Sequence, residues 1–363
     1  MKEEGKVRKI NVGIFVALTC LLCSLSQAQE ITPLLEKVDN WQIAHPMMPP
    51  DDFCWERGTW YTGIMAAYKA TGDKKFLNQA LDWGRKRQWQ VCIEADRANI
   101  LFGIQTWAQL SMIKHDPSML APSIEWFSKN VGNVPAGAEV WYLERGARYV
   151  DSLYGGSGLT LLTKATGDKK YLNYLHAFFW DVYVELFDKD AGLFYRDKRF
   201  IGQTSANGAK ILWSRGNGWA FAGTARILEW LPRNNPDRPR YVELLKTMAA
   251  ALAKAQGQDG MWRPNLADPA ENNMPESSGS GFFCYGIAWG INHGVLDRAT
   301  YLPVVQKGWA GLTRAVAPDG QVQWGQPVGD RPREVKQEQT HEYVTGAFMM
   351  AGSETLKLPH PAK

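Results

Sequence analysis

Apolar side chains return every three to four residues along most of this chain, and the strict alternation of a half-buried strand is nearly absent. That spacing gathers them on one face of a helix. The chain therefore predicts helices over 31–42, from Arg57 to the stop at Thr71-Gly72-Asp73, and from there to about Trp89. Further helices are predicted over 99–114, 122–130, 152–164, 169–187, 218–231, 240–256, 281–293, 298–315 and 342–354. Only short stretches over 193–200 and 321–324 alternate as strands do. A repeat sets the period: Lys69-Ala70-Thr71-Gly72-Asp73-Lys74-Lys75-Phe76-Leu77-Asn78 returns as Lys164-Ala165-Thr166-Gly167-Asp168-Lys169-Lys170-Tyr171-Leu172-Asn173. In each copy Gly supplies a left-handed helix end and Asp opens the next helix. Two helical hairpins of about 45–50 residues each fill the offset. Six such hairpins predict an all-α fold, an (α/α)6 barrel. A solenoid of helical pairs is the alternative, but it lacks pocketed loops rich in Trp and Gly.

The N-terminal residues read differently. Lys2, Lys6, Arg8 and Lys9 precede an apolar run from Ile10 to Leu25, and Ser26-Gln27-Ala28 offers small residues to a signal peptidase. Residues 1–28 are therefore expected to be a signal peptide, with 29–363 one barrel domain that is exported, periplasmic or secreted. Without that segment the formal charge falls from +4 to +2, since four basic and two acidic side chains leave with it. So even a balance, with no basic run elsewhere, argues against nucleic acid as a partner, and no membrane association is expected after cleavage. Cys54, Cys92 and Cys284 remain, too far apart to suggest a disulfide framework or a metal site, and each is expected to be a buried thiol. No metal or organic cofactor is expected. The 16 Trp are the unusual feature: indoles fill cores, but they also wall clefts in which the C–H face of a sugar stacks.

Candidate chemistry lies in three segments outside ordinary helix fabric. In Trp213-Ser214-Arg215-Gly216-Asn217-Gly218-Trp219, two indoles flank a guanidinium and two glycines admit close approach, which suits a flat anionic ring as well as it suits helix packing. Glu94-Ala95-Asp96-Arg97-Ala98-Asn99 and Tyr149-Val150-Asp151-Ser152-Leu153-Tyr154-Gly155-Gly156 each open a helix, where Asp is ordinarily a cap. Asp151 is set apart by the aromatic residues and double glycine around it. Desolvation there would keep a proton on its carboxyl near neutrality, as a general acid needs.

The motif Trp213-Ser214-Arg215-Gly216-Asn217-Gly218-Trp219 resembles glycoside hydrolase family 105. So do Asp151-Ser152-Leu153-Tyr154, Gly260-Met261-Trp262-Arg263-Pro264, the segment from Glu276 to Phe283 and Tyr343-Val344-Thr345-Gly346-Ala347-Phe348. That family comprises unsaturated rhamnogalacturonyl hydrolases and their unsaturated glucuronyl relatives. The resemblance runs from about Trp55 to Glu354 and implies an (α/α)6 barrel. It further implies that one aspartic acid, Asp151 by motif position, protonates C4 of a 4,5-unsaturated uronyl residue left at a non-reducing end by polysaccharide lyases. Water then adds at C5 and the hemiketal collapses to a keto acid.

By the same resemblance Arg215 would hold the uronate carboxylate, with Trp213 and Trp219 stacked beside it and the bound carboxylate between Arg215 and Asp151. A second aspartate would fall at Asp96, or its place would be taken by Asn99. Arg196 stands where some members have His, and a surface salt bridge is its bland alternative. Tyr61, Tyr149 and Tyr343 complete the expected contacts, while Glu276 is either a rim residue or a helix cap. The chain departs from many relatives at Gly155-Gly156-Ser157-Gly158, where they have Met-Ala-Pro-Pro, and at Tyr149, where they have Trp; both changes are expected to open the pocket. Two other classes compete: a uronate lyase or sugar epimerase on the same barrel, and a non-catalytic carbohydrate-binding protein.

Overall fold

A computed structural model describes residues 30–49, 54–92, 97–132 and 148–358. Within them the chain forms twelve α-helices: α1 over 30–44, α2 Trp55–Thr71, α3 Lys74–Lys86, α4 Arg97–Lys114, α5 Ala121–Asn130, α6 Ser152–Thr166, α7 Lys170–Leu186, α8 Ser214–Trp230, α9 Arg238–Ala255, α10 Ser277–Asn292, α11 Arg298–Arg314 and α12 Glu342–Thr355. Strands β1 (Phe187–Asp188) and β2 (Leu193–Phe194) pair antiparallel after α7.

The even-numbered helices form a closed ring, each packed on the next and α12 packed on α2. Odd-numbered helices cover it, with α3 on α2, α7 on α6, α9 on α8 and α11 on α10. Closure rules out a solenoid, whose first and last repeats do not meet. The repeated segment makes the same inner-to-outer turn twice: Gly72 and Gly167 end α2 and α6 in the left-handed region at φ 73° and 79°, and Asp73 and Asp168 accept from Lys75 N and Lys170 N.

Inner helices are buried on every side. All residues of α8 from Ser214 to Leu228 and all of α10 from Ser277 to Ile291 are shielded from solvent, so small residues must set how closely the helices approach. A Cβ on Gly63 would lie 2.6 Å from the Gly346 carbonyl oxygen, and one on Gly223 would lie 2.7 Å from that of Leu153. This burial also explains two displaced boundaries: α8 begins at Ser214 and α10 at Ser277, four residues before the predicted starts. The intervening glycine-rich residues are first turns packed against neighbours rather than loops.

The ring is fastened where its first and last helices meet. Arg57 Nε and Nη2 donate to the two carboxylate oxygens of Glu342 at 2.9 and 2.7 Å, and both residues are buried. Glu342 Oε1 also accepts from Met47 N and Met48 N at 3.2 Å. A second staple overturns an expectation: Cys54 and Cys92 are not separate thiols but form a disulfide joining the start of α2 to the segment that leads into α4. Their 38-residue separation carries no pairing signal, because the barrel brings them together. Cys284 is a free buried thiol, as expected, and burial pushes its pKa up.

Candidate active site

The six inner helices meet their neighbours near corresponding N-terminal turns, so their N-termini share one end of the ring. There, unpaired N–H groups and aligned peptide dipoles favour an anion. Trp55, Asn99, Asp151, Arg215, Glu276 and Tyr343 all stand in or beside those first turns.

Most acidic residues at helix starts in this chain are spent on their own helix. Glu276 is such a cap, accepting from Ser278 N at 2.8 Å and Gly279 N at 2.7 Å while fully buried. Asp151 occupies the corresponding position before α6 but makes no capping bond, and its own backbone is already helical at φ −59° and ψ −31°. Its carboxylate instead accepts from Arg196 Nε at 3.1 Å.

Arg196 is brought there by main-chain stitching that begins in the tryptophan-rich motif. Asn217 accepts from Phe194 N at 2.8 Å and donates to Phe194 O at 3.0 Å, which pins β2 against α8. Two residues on, Val150 N donates to Arg196 O at 2.8 Å and Tyr149 bridges Asp197. The guanidinium lies 4.9 Å over the Tyr149 ring and donates from Nη1 to Asp197 at 2.9 Å. Asp197 is gripped in turn by Arg199, which reaches Asp330 at 2.9 Å. Burial opposes charge on Arg196, but Asp151 and Asp197 outweigh it and hold the guanidinium above its ordinary range. Arg196 is therefore a partly buried member of an ion-pair network rather than a surface salt bridge.

Arg215 behaves otherwise than its motif suggested. It is 1% exposed, with Nη1 on Gln326 O at 2.6 Å and Nη2 on Pro327 O at 2.9 Å, sandwiched between Trp213 and Tyr343 at 4.6 and 4.9 Å. Trp213 and Trp219 are likewise 1% exposed. Trp213 donates to Gln326 Oε1 at 2.8 Å, and Trp219 packs on Phe282 and Tyr154. In this arrangement the three form a wall behind the site, with no open face for a sugar or carboxylate. Gly216 and Gly218 abut Val150 and Phe282, and Gly158 abuts the Leu101 carbonyl, so these glycines bring helices together rather than open a pocket.

The aromatic ring of this wall that reaches solvent, Trp55, was missed. Trp55, partly exposed, stacks on Tyr343 at 5.1 Å, and Tyr343 stacks on His341 at 4.7 Å. His341 Nδ1 accepts from Glu342 N at 3.0 Å, placing its proton on Nε2. Burial, with the charge of Arg215, lowers its pKa to about 4, so the ring is neutral near pH 7. The Tyr343 hydroxyl donates to Gln326 O at 2.6 Å and is pushed up to about 12 by burial. Tyr343 was expected from its motif; for Trp55 the trace in the sequence is its adjacency to a cysteine that turns out to be bridged.

Other expected residues sort as follows. Tyr61 is 8% exposed and stacks at 4.0 Å on Trp83 of the outer helix α3, away from the rim, because its place on α2 turns it between the two helix layers. Asn99 lies in the first turn of α4 and is partly exposed; Asp96 lies outside the described residues. Among the described residues no group of three His, Cys, Asp or Glu is placed to hold a metal ion. A cleft of about 1450 Å³ runs elsewhere, along the outer face of α7, lined by Lys164, His176, Trp180, Trp230 and Asp237 among others.

A closed ring of inner helices with an acid, a guanidinium and aromatic rings at one end defines a carbohydrate-active (α/α)6 barrel. Comparison with known proteins makes this specific: Glycosyl Hydrolase Family 88 matches residues 28–359, and the chain belongs to that family. It is a glycoside hydrolase. It is 34% identical over 351 residues to an unsaturated 3S-rhamnoglycuronyl hydrolase of Alteromonas sp. (strain LOR), covering 88% of this chain and 84% of that protein. A solved family 88 glycosyl hydrolase from Bacteroides vulgatus is 28% identical, covering 91% of this chain and 99% of its own at a TM-score of 0.82. A structure described as a polysaccharide lyase is 29% identical at the same TM-score of 0.82, covering 91% of this chain and 97% of its own. Structures described under family 105, to which the motifs pointed, are 20–22% identical and share the fold with TM-scores of 0.72–0.76.

Proposed function

We propose that this enzyme removes a 4,5-unsaturated uronyl residue from the non-reducing end of lyase-generated oligosaccharides in which rhamnose follows the uronide, with Asp151 as general acid. The observation that carries the reading is the position of Asp151: at the start of an inner helix, not capping it, and turned to a guanidinium at the ring's positive end. Protonated Asp151 gives its hydrogen to C4 of the enol ether, and the cation that results is stabilised by the ring oxygen. The Asp151 carboxylate then takes a proton from water as that water adds at C5. Opening of the hemiketal leaves a hemiacetal at C1, which releases the rhamnose-bearing alcohol and an unringed keto acid. One carboxyl suffices, since no glycosyl-enzyme intermediate is formed. Trp55 offers a face on which the sugar stacks.

Loss of ultraviolet absorbance from an unsaturated uronyl-rhamnose disaccharide tests this. Wild type should bleach it, and Asp151→Asn should bind it with turnover reduced at least about a thousandfold, in the range of lost acid catalysis. A lyase reading draws support from the similar structure described as one; it predicts the opposite sign, absorbance gained on an intact polyuronide. We also place the enzyme outside the cytoplasm. The charged and apolar N-terminal segment supports this, and so does the Cys54–Cys92 bond, which persists in an oxidising compartment.

A further inference from the structure

The acid of this site has a cation in contact with it. A guanidinium nitrogen 3.1 Å from a carboxyl favours its charged form, because the charges are opposite. Protonating an alkene requires the reverse. We propose, resting on the assignment of Asp151 as the acid, that Arg196 is the receptor for the substrate's uronate. As Arg196 exchanges Asp151 for that uronate, Asp151 takes the catalytic proton from solvent.

Three observations carry the exchange. The first is access: the Arg196 and Asp151 side chains are 21% and 17% exposed, whereas Arg215 is 1% exposed and its Nη groups are spent on main-chain carbonyls. Among the described residues, Arg196 is thus the guanidinium at this site that an incoming carboxylate can reach. The second is anchorage. Nη1 on Asp197 and the ring of Tyr149 hold the guanidinium while Nε changes partner, and Asp197 is itself fixed by Arg199 and through it by Asp330. The third is charge. Arg196 carries one carboxylate at Nε before and after the exchange, but Asp151 loses this guanidinium and gains a neighbouring uronate. Two carboxylates so placed cannot both stay ionised, and the one without the guanidinium takes the proton.

Among the described residues, the charged groups that face this pair leave the sign unchanged. Asp197, Arg199, Asp330 and Arg331 neutralise one another within the network. Arg148, next to Tyr149, is engaged by Asp181 and Glu185. Arg215 and the neutral His341 stand behind or within the aromatic wall. The proton balances over a cycle: it enters Asp151 from solvent on binding, passes to C4, is replaced from the water that adds at C5, and leaves when the keto acid departs and Arg196 returns.

Calorimetric titration with the saturated disaccharide β-D-glucuronyl-(1→4)-L-rhamnose, which has no alkene to protonate, reads the exchange directly. In phosphate, HEPES and Tris at pH 7.5 the binding enthalpy of wild type should vary with buffer ionisation enthalpy with a slope near one proton taken up. The slope should fall in Arg196→Gln, where Asp151 lacks that cation and holds its proton to higher pH before binding, and vanish in Asp151→Asn. A zero slope in wild type, or an unchanged slope in Arg196→Gln, overturns the proposal. Kinetics decide independently of that ligand's affinity. In wild type log(kcat/KM) on the unsaturated disaccharide should fall with unit slope through neutral pH while kcat stays level. In Arg196→Gln the limb should move to higher pH, with kcat/KM about a hundredfold lower, as expected for a lost charge-assisted bond. A limb that does not move in the variant, or a kcat that falls with kcat/KM in wild type, refutes the exchange. If wild type leaves the unsaturated disaccharide intact, the hydrolase reading fails instead, and the buffer series still reports whether a uronate moves a proton.

Discussion

Cutting the Cys54–Cys92 bond should cost both stability and substrate affinity, by amounts that follow from its position. The bond closes a sequence separation of 38 residues. Removing a cross-link over that span returns about 13 cal/mol/K of chain entropy to the unfolded state, or about 4 kcal/mol at 25 °C. A chain of this size unfolds with an entropy of roughly 0.7 kcal/mol/K, so the midpoint should fall by about 5–6 °C. Because Cys54 precedes Trp55, whose ring stacks on Tyr343, the rim loosens with the bond. Asp151 and Arg196 are stitched to α6 and α8 and should keep their geometry. We therefore expect KM to rise several-fold with kcat nearly unchanged. The assay is thermal unfolding and disaccharide turnover of Cys54→Ser, Cys92→Ser and the double variant, each with and without dithiothreitol. Reductant should lower the wild-type midpoint to that of the double variant and leave the double variant unmoved. A double variant as stable as wild type, or one that reductant still destabilises, would refute the reasoning.

Three further outcomes are expected. Glu342→Ala takes the carboxylate away from the buried Arg57 guanidinium, which keeps main-chain carbonyl acceptors but no counter-charge from α12, and should destabilise by about 3–5 kcal/mol in denaturant unfolding; Arg57→Met with Glu342→Leu should recover part of that loss. Burial raises the Asp39 carboxyl to about 6, with Oδ1 accepting from Trp60 and Gln79, so stability from its protonated form is present below about pH 4 and lost as pH rises through 6. Asp39→Asn should accordingly gain up to roughly 3 kcal/mol over wild type at pH 8 and nothing at pH 4, measured by urea unfolding at both. His341, lowered to about 4, is neutral in the fold, so its contribution is present above pH 6.5 and lost as pH falls toward 4. His341→Asn, which keeps a capping acceptor, should flatten the melting temperature over that interval.

Most of the helical frame was legible because a barrel of this kind repeats one local decision. Gly72 with Asp73 and Gly167 with Asp168 each signal a helix end and a new start, and the structure makes the same turn at both. Boundaries failed where burial is complete: from Ser214 and from Ser277 onward every face is covered, so no polar stripe marks the helix and glycine there reports on the neighbouring helix. Side-chain direction was less legible still. Tyr61 and Trp55 lie six residues apart on α2, yet Tyr61 turns toward Trp83 in the outer layer while Trp55 turns to the rim. A short stretch of aromatic residues does not say which of two helix faces meets the lumen.

The Trp213–Trp219 segment shows why residue chemistry alone could not assign its role. A guanidinium between aromatic rings suits a bound carboxylate and suits two main-chain carbonyls equally well, since both present oxygen acceptors to the same fork. Here the carbonyls of Gln326 and Pro327 take that place, so Arg215 fastens the loop before α12 to the start of α8. Asn217 fastens the 194–197 segment to the same turn. Those two loops carry Asp330 and Arg196, joined through Arg199 and Asp197. The motif thus fixes from behind the two segments whose ion pairs end on Asp151. Arg215→Lys, keeping charge but losing the two-pronged fit, should therefore act on turnover through Arg196 without a direct contact to the sugar.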